Sequence, residues 1–422
     1  MTHRNRRTFV TTVATAGTIG LAGCLSSIRG DDDDESSTQT DQGGDGDNGG
    51  TDGPTLPGES IDDFETLEWT SMIDAGRLEA DTDDPYAGSQ SARLFADEGT
   101  DRAAIYRTFP GGTDLSEKTL SLAVSFSDRE QLHLTLELFA PGSGNAHRLE
   151  RTLTGPTDRW VRVDFGITGV DGQPNLENVR EIRLAARRRG DSDGEIDCRI
   201  DDLRAIDQPD DGSVMLLFDG ALESHYETAL EHTEEYGFPG VEAVLYEALG
   251  DPGRLSVADL GALSNAGWEM AARPRTGAQF MHELSPEEQE GAIRRTQSFL
   301  ESRGFEDGAR HFVTPRNVLG PETIDLVREY HDTAFRFGGG PNGKPLTDPH
   351  NVGFFSGGAG ETTKRYVDYA AEHGQLAVLH FEEIGGDGLS ERAFEDLLEH
   401  IDDADVDVVT PSDLLESTGE RD

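Results

Sequence analysis

The apolar residues change their period once, near residue 210, and that change splits the chain into two kinds of fold. From residue 58 to 208 the apolar residues alternate with polar ones in short runs such as "KTLSLAVSFS", "LHLTLELFA", "WVRVDFGI", "EIRLAAR" and "IDCRIDDLRAI", separated by Gly, Asp and Pro. A period of two marks a strand with one face buried, and many such strands at short spacing predict a β-sandwich. From residue 212 to 417 the runs "VMLLFDG", "VEAVLYEA", "WEMAA", "ARHFVTP", "TAFRFG", "QLAVLHF" and "VDVVTP" alternate with helical stretches, among them "SPEEQEGAIRRTQSFLESRG" and "SERAFEDLLEHID". Ser285 followed by Pro286 is a helix start. Strand–helix alternation over such a length predicts a parallel (β/α) barrel whose functional side chains sit at strand ends.

The first 23 residues read as a targeting segment. Arg6 and Arg7 precede Phe9, a short apolar run follows, and the run ends in "LAGC" at Cys24. It is shorter than the roughly 20 apolar residues a spanning helix needs. Twin arginines joined to Leu-Ala-Gly-Cys resemble a Tat lipoprotein signal, which implies export, cleavage before Cys24, lipidation of its sulfur and anchoring to the outer face of the cell membrane. Residues 24–57, with "DDDDESSTQTDQGGDGDNGG" inside them, lack the apolar side chains a core requires and read as an acidic tether. Cys198 then has no intrachain partner, and its alternation with Ile196 and Ile200 points it into a core.

With 83 Asp and Glu against 36 Lys and Arg, the net charge is −47. Nucleic acid is excluded as a partner, because it needs a basic face. Acid spread along the whole chain, with little lysine, is the pattern of a protein from a salt-loving archaeon. "GGGPNGK" (338–344) has phosphate-loop spacing, but Pro345 stands where a hydroxyl would hold magnesium, and "SGGAGETTK" has glycines without the spacing. Both read as loops shaping the barrel mouth, and nucleotide binding is rejected.

Within residues 58–208, "GSQSARLFA", "RWVRVDF" and "IDDLRAI" resemble jelly-roll carbohydrate-binding modules. Trp69, Tyr86, Tyr106 and Trp160 are platform candidates by residue type, since sugar faces stack on aromatic rings, with core packing the favoured reading for each. Asp201 and Asp202 stand either as ligands of a structural calcium or as a solvated turn.

The second half resembles the polysaccharide deacetylases, the NodB-like family. "VMLLFDGALES" (214–224) stands where that family has a strand ending Thr-Phe-Asp-Asp-Gly. "LEHTEEYGFPGVEAVLY", "NAGWEMAARPRTG", "FVTPRN" and "LAVLHFEEIG" follow in the family's order and spacing. The resemblance implies a multidomain chain: a jelly-roll-like N-terminal β-sandwich and a C-terminal distorted (β/α) barrel. In the family a divalent metal, usually zinc, polarises an acetamide carbonyl and activates water between an acid and a base. Carried over, the base is Asp219 and the acid His380, while the three metal-ligand positions fall on Gly220, Arg273 and Gly277. Glycine ligates nothing through a side chain and a guanidinium repels a cation, so the metal site reads as lost. Glu223, His225, Glu269 and His282 stand near in sequence as possible substitutes, with Glu223 and His225 expected on a solvent-facing helix start. Arg273 is instead expected beside Asp219, where with Arg275 it would bind an anionic sugar. The resulting expectation is a surface lipoprotein that recognises a polysaccharide without metal-dependent deacetylation. The alternatives are an active carbohydrate hydrolase using Asp219 and His380, and a structural envelope protein.

Overall fold

The computed structural model describes residues 56–127, 131–189 and 194–418. The twin arginines, Cys24 and nearly all of the tether lie outside the described residues. Twelve strands precede residue 208: β1 (Glu59–Asp62), β2 (Thr70–Ser71), β3 (Arg77–Asp81), β4 (Ser91–Ala96), β5 (Arg102–Thr113), β6 (Lys118–Phe126), β7 (Leu132–Phe139), β8 (Ala146–Leu153), β9 (Val161–Phe165), β10 (Ile167–Asp171), β11 (Val179–Arg188) and β12 (Ile196–Asp207). They form two antiparallel sheets. One runs β3-β4-β12-β6-β9 with β1 added on β12, and the other runs β10-β8-β7-β11-β5-β2. Inward residues of both sheets, including Leu94, Ile105, Leu122, Leu136 and Leu184, make one apolar core. Cys198 points into that core, and burial pushes its thiol pKa up.

Of this region's candidates the tryptophans pack, in line with the favoured reading, while the paired aspartates are placed otherwise. Trp69 is core, its Nε1–H donating to Asp62 Oδ2 at 2.8 Å. Trp160 is half-buried and packs edge-on against Tyr86, donating to Asp84 O at 3.0 Å. Asp201 and Asp202 are no solvated turn. Both are buried in β12 where its register with β6 shifts. Asp201 accepts from the N–H groups of Tyr86, Ala87 and Asp202, and burial raises its pKa to about 6. Asp202 is bonded to Arg162 and Arg204. The carboxylates close a bulge with donors already on hand, which removes the motive for a cation.

The second half holds β13 (Gly212–Asp219), α1 (Leu230–Tyr236), β14 (Val241–Val244), α2 (Val257–Asn265), β15 (Glu269–Ala272), α3 (Pro286–Glu301), α4 (Glu306–Ala309), β16 (His311–Val313), α5 (Pro321–Tyr330), β17 (Thr333–Phe337), β18 (Val352–Ser356), α6 (Glu361–Glu372), β19 (Leu376–Phe381), α7 (Glu391–Asp403), β20 (Val406–Val408) and α8 (Pro411–Thr418). Strands β13 to β19 pair in parallel and close, β19 on one edge of β13 and β14 on the other. β20 pairs with the first residues of β13 only. This is the expected parallel (β/α) barrel, closed by seven strands; the run "VDVVTP" is β20, outside the ring. Its interior takes Met215, Leu217, Val241, Ala243, Ala271, Phe335, Phe354 and Val378, while Val214, Leu216, Phe218 and Leu379 face the helices. The alternation of inward and outward side chains along each strand produces both layers at once.

One strand escaped the sequence reading. "VGFFS" (352–356) is β18, and its apolar run is too short to stand out between glycine-rich loops. The connection that precedes it is also unusual, since β17 returns to β18 through residues 338–351 with a single 3₁₀ turn and no α-helix. Those residues therefore do not shape the barrel mouth. They run down the barrel flank against the sandwich: Asn342 bridges Leu376 at the start of β19 and Phe165 of β9, and Thr347 bonds Asp164 through its N–H and its hydroxyl.

Three arginines hold this contact, each almost fully buried. Arg151 of β8 donates to Asn342 Oδ1 at 2.6 Å and Asn351 O at 2.5 Å. Arg336 points outward from β17 to Asn351 Oδ1 at 2.8 Å and to the Gly155 carbonyl. Arg162 of β9 meets Asp202 at 2.9 Å and Ser121 Oγ at 3.1 Å within the sandwich and reaches across to Thr347 Oγ1 at 3.3 Å. Burial lowers the pKa of Arg151 to about 10 and of Arg336 to about 9, so both stay charged near neutrality. The guanidinium of Arg151 lies flat on Gly338 and Gly353, where a Cβ would collide with it. We expect Gly353→Ala to cost about 1–3 kcal/mol by displacing that group, read as a lower midpoint in thermal unfolding. Gly358→Ala, where a methyl meets open space, should leave the midpoint within a degree or so.

Candidate functional site

The alternation that fills the barrel also builds the site at its carboxyl-terminal end. Asp219 follows Met215 and Leu217 in the inward series of β13, and His380 follows Leu376 and Val378 in that of β19. Arg273 comes two residues after the inward Ala271, just past the end of β15. Each is the first inward position beyond the apolar filling, where the barrel opens.

There the Arg273 Nε forms an ion pair with Asp219 Oδ1, and His380 Nε2 lies 3.4 Å from Asp219 Oδ2. The three side chains are only 13 to 19% exposed. The His380 ring stacks on Phe354, with centroids 4.4 Å apart and planes 9° from parallel. Burial works to raise the Asp219 pKa, but the His380 hydrogen bond and the Arg273 charge outweigh it and hold the carboxyl below its usual range. Asp219 is therefore an anion, its Oδ1 facing the Arg273 guanidinium in an ion pair without a hydrogen bond and its Oδ2 beside His380 Nε2. Beside it opens a cavity of about 490 Å³ lined by Asn317, Phe337, Phe354, Ser356, His380 and Glu382.

The turn after Asp219 is tied from below. Gly220 has φ +109°, a conformation that side-chain-bearing residues rarely adopt, and its carbonyl accepts from Arg254. Glu242, fully buried on β14, takes the Ala221 N–H at 3.1 Å and His225 Nδ1 at 2.7 Å, while His225 Nε2 reaches Glu382 O at 2.7 Å. His225 is thus wholly buried rather than on a solvent face, because a carboxylate under the turn demands a partner. Burial disfavours the imidazolium, yet Glu242 wins and raises the His225 pKa, and burial likewise raises that of Glu242.

The other candidates are dispersed. Glu223 is exposed in the first helical turn after β13, as expected of a solvent-facing helix start; Arg275 is exposed on a loop, and Gly277 (φ +63°) is exposed with open space around it. His282 stacks on Phe280 in the turn before α3, at 5.6 Å between ring centroids. Glu269 lies at the opposite end of the barrel, bonded to Thr410 and Ser412. It begins β15 rather than ending it. Among the described residues, no group of three or more His, Cys, Asp or Glu side chains converges as a ligand set. Of the positions carried over from the deacetylases, Asp219 and His380 alone bear a side chain that a metal accepts, and the Asp219 carboxylate already faces a permanent cation. The Glu242–His225 brace went unforeseen, although a lone charged residue inside the short apolar run "VEAV" was its signal.

The sequence matches no protein-family model and no curated protein. Solved structures are similar at low identity. One is the Xyl-CE4 domain of a multidomain xylanase from the hindgut metagenome of Trinervitermes trinervoides (17% identity, 50% of this chain and 93% of that one, TM-score 0.38). Another is a family 4 acetyl xylan esterase from Clostridium thermocellum (14%, 49% and 92%, TM-score 0.34). A third is a family 11 carbohydrate-binding module from Clostridium thermocellum in complex with a mixed-linked tetrasaccharide (15%, 36% and 96%, TM-score 0.28).

Removing Arg273 leaves a buried carboxylate without its cation, so Arg273→Ala should destabilise the fold by roughly 3 kcal/mol, with Asp219→Asn in the same protein recovering part of that loss. The depressed Asp219 pKa contributes stability that is complete above about pH 4, the unfolded value, and is lost as the pH falls through the folded value. Stability-versus-pH curves should show this acid limb in the parent and lose it in Asp219→Asn.

Proposed function

We propose that this chain is an exported, lipid-anchored surface protein that recognises polysaccharide and carries out no metal-dependent deacetylation. The observation that carries this reading is the Asp219–Arg273 ion pair. A deacetylase of this kind needs a cation held by several donors to polarise the carbonyl and generate hydroxide. Here a guanidinium supplies the positive charge instead, and it can neither bind water as a ligand nor release a proton at any ordinary pH. Asp219, neutralised by that partner and already bonded, is a poor general base. Gly220 and Gly277 present no side-chain donor. What the mouth does offer is a cavity lined by Phe337, the His380 imidazole, the Asn317 amide, the Ser356 hydroxyl and the carboxylates of Glu382, Glu383 and Asp387, groups that suit the hydroxyls of a sugar. The deacetylase and sugar-binding activities named for the similar structures agree with a carbohydrate ligand.

A second reading, hydrolysis by Asp219 and His380 alone, draws on the 3.4 Å contact between them. Anchoring through Cys24 remains part of the proposal on sequence grounds alone.

The deciding measurement is metal stoichiometry. We expect the full chain, loaded with zinc in molar KCl and exchanged into zinc-free buffer, to retain no metal that an Asp219→Ala, His380→Ala double variant lacks. It should also release no acetate from acetylated xylan. One zinc per chain that the double variant loses would overturn the reading and restore a hydrolase.

A further inference from the structure

The outward face of the sheet β10-β8-β7-β11-β5-β2 is crossed by a groove whose shape follows from strand register. Three rungs of paired residues define it. The middle rung is small: Ala104, Ala185 and Thr135 stand opposite one another on β5, β11 and β7. The rung on one side is Arg102, Arg187, His133 and Thr152, and the rung on the other is Tyr106, Arg183, Glu137 and Arg148. Small side chains between long ones leave a trench of about 380 Å³, with Glu150 at its β8 end.

The two walls differ in their electrostatics. On the second wall the charges are matched. Arg183 bonds Glu181 at 2.5 Å and lies over the Phe139 ring, and Arg148 bonds Asp171 at 2.8 Å and approaches Glu137 at 3.7 Å. On the first wall Arg102 and Arg187 are direct cross-strand partners. Like charges so placed destabilise a sheet. Arg102 and Arg187 make no ion pair among the described residues, and Arg187 lies near enough to Glu150 to help hold that carboxyl low. In a chain of net charge −47, an arginine pair facing each other with no described acid between them is unusual.

We propose that this groove binds an acidic polysaccharide. The carboxylate or sulfate groups of that chain would sit on the Arg102–Arg187 pair, and its hydroxyls would donate to Glu137 and Glu150. Paired guanidinium forks suit either anion. The two glutamates favour a sugar chain among polyanions, since a carboxylate in the trench is satisfied by hydroxyl donors, which an acidic sugar carries beside its charge and inorganic phosphate or poly-glutamate does not offer in number. Tyr106 is the one aromatic platform candidate on this face, so charge rather than ring stacking sets the preference. The positive wall ends at Thr152, whose N–H donates to Gly338 O at 2.8 Å beside Phe337 of the barrel-mouth cavity. A chain lying in the groove is thereby led to the barrel opening. The inference rests on the polysaccharide reading but assigns the recognition to the sandwich.

Calorimetric titration of the full chain with polygalacturonate, dextran sulfate, neutral dextran and poly-glutamate, in 0.15 M salt and again at about 2 M, tests it. The expected result is binding of polygalacturonate, dextran sulfate or both, with at least tenfold weaker affinity in Arg102→Ala, Arg187→Ala. That variant should melt no lower than the parent, since it relieves a like-charge pair. Ala185→Trp, which fills the trench with both arginines intact, should abolish binding as well. Unchanged affinity in these variants overturns the proposal, and so does poly-glutamate binding as tightly as the acidic glycans. Dextran binding that ignores both variants removes the groove but leaves polysaccharide recognition standing. No binding to any glycan removes both.

Discussion

A buried guanidinium keeps its proton, so the fold is pressed to aim acceptors at its N–H groups, and at Arg151 it does so for both terminal nitrogens and not for Nε. Arg151, Arg162 and Arg336 impose this requirement where the sandwich meets the barrel, and the path of residues 338–351 is the answer to it. Asn342 and Asn351 are placed to accept from Arg151 and Arg336, and their own amide groups go to Gly353 O and Arg162 O. Glycine at 338 and 353 lets the Arg151 plane lie against backbone. The crossover gives up its helix to this network, and the sandwich takes the helix's place as a cover for β17 and β18.

The same alternation that packs the barrel explains how far its site was legible. Asp219 and His380 could be found because the strand runs "VMLLFD" and "LAVLHF" carry their inward series straight to the mouth. Arg273 could be paired with Asp219 because strand ends in a closed barrel converge. What could not be read is anything fixed by long-range packing. His225 stands in a polar stretch that looks solvent-facing, and only the position of Glu242 beneath the Gly220 turn buries it. Asp201 and Asp202 look like a turn because a bulge in β12 has no local mark. Glycine-rich 338–344 looks like a mouth loop because its partners, Arg151 and Asp164, lie nearly 200 residues earlier.

Charge is used at the two ends of one surface in opposite ways. At the barrel mouth an arginine is spent on pairing with a carboxylate. On the sandwich face two arginines are set against each other across a sheet, and Arg102 has no ion pair among the described residues. Stability alone would reverse both choices, since opposed like charges weaken the sheet and a buried ion pair gains little over apolar packing.

The missing helix between β17 and β18 also bears on the order in which the molecule is made. The sandwich is synthesised first and its core is complete in itself, so it can fold while the barrel is still being added. When β17 emerges, Arg336 meets a surface that already presents the Gly155 carbonyl, and residues 338–351 have a finished wall to settle on before β18 and β19 close the ring. The barrel alone would leave Arg336 without the Gly155 carbonyl, and the sandwich alone would leave Arg151 without Asn342 and Asn351, so each half completes the other's buried charge.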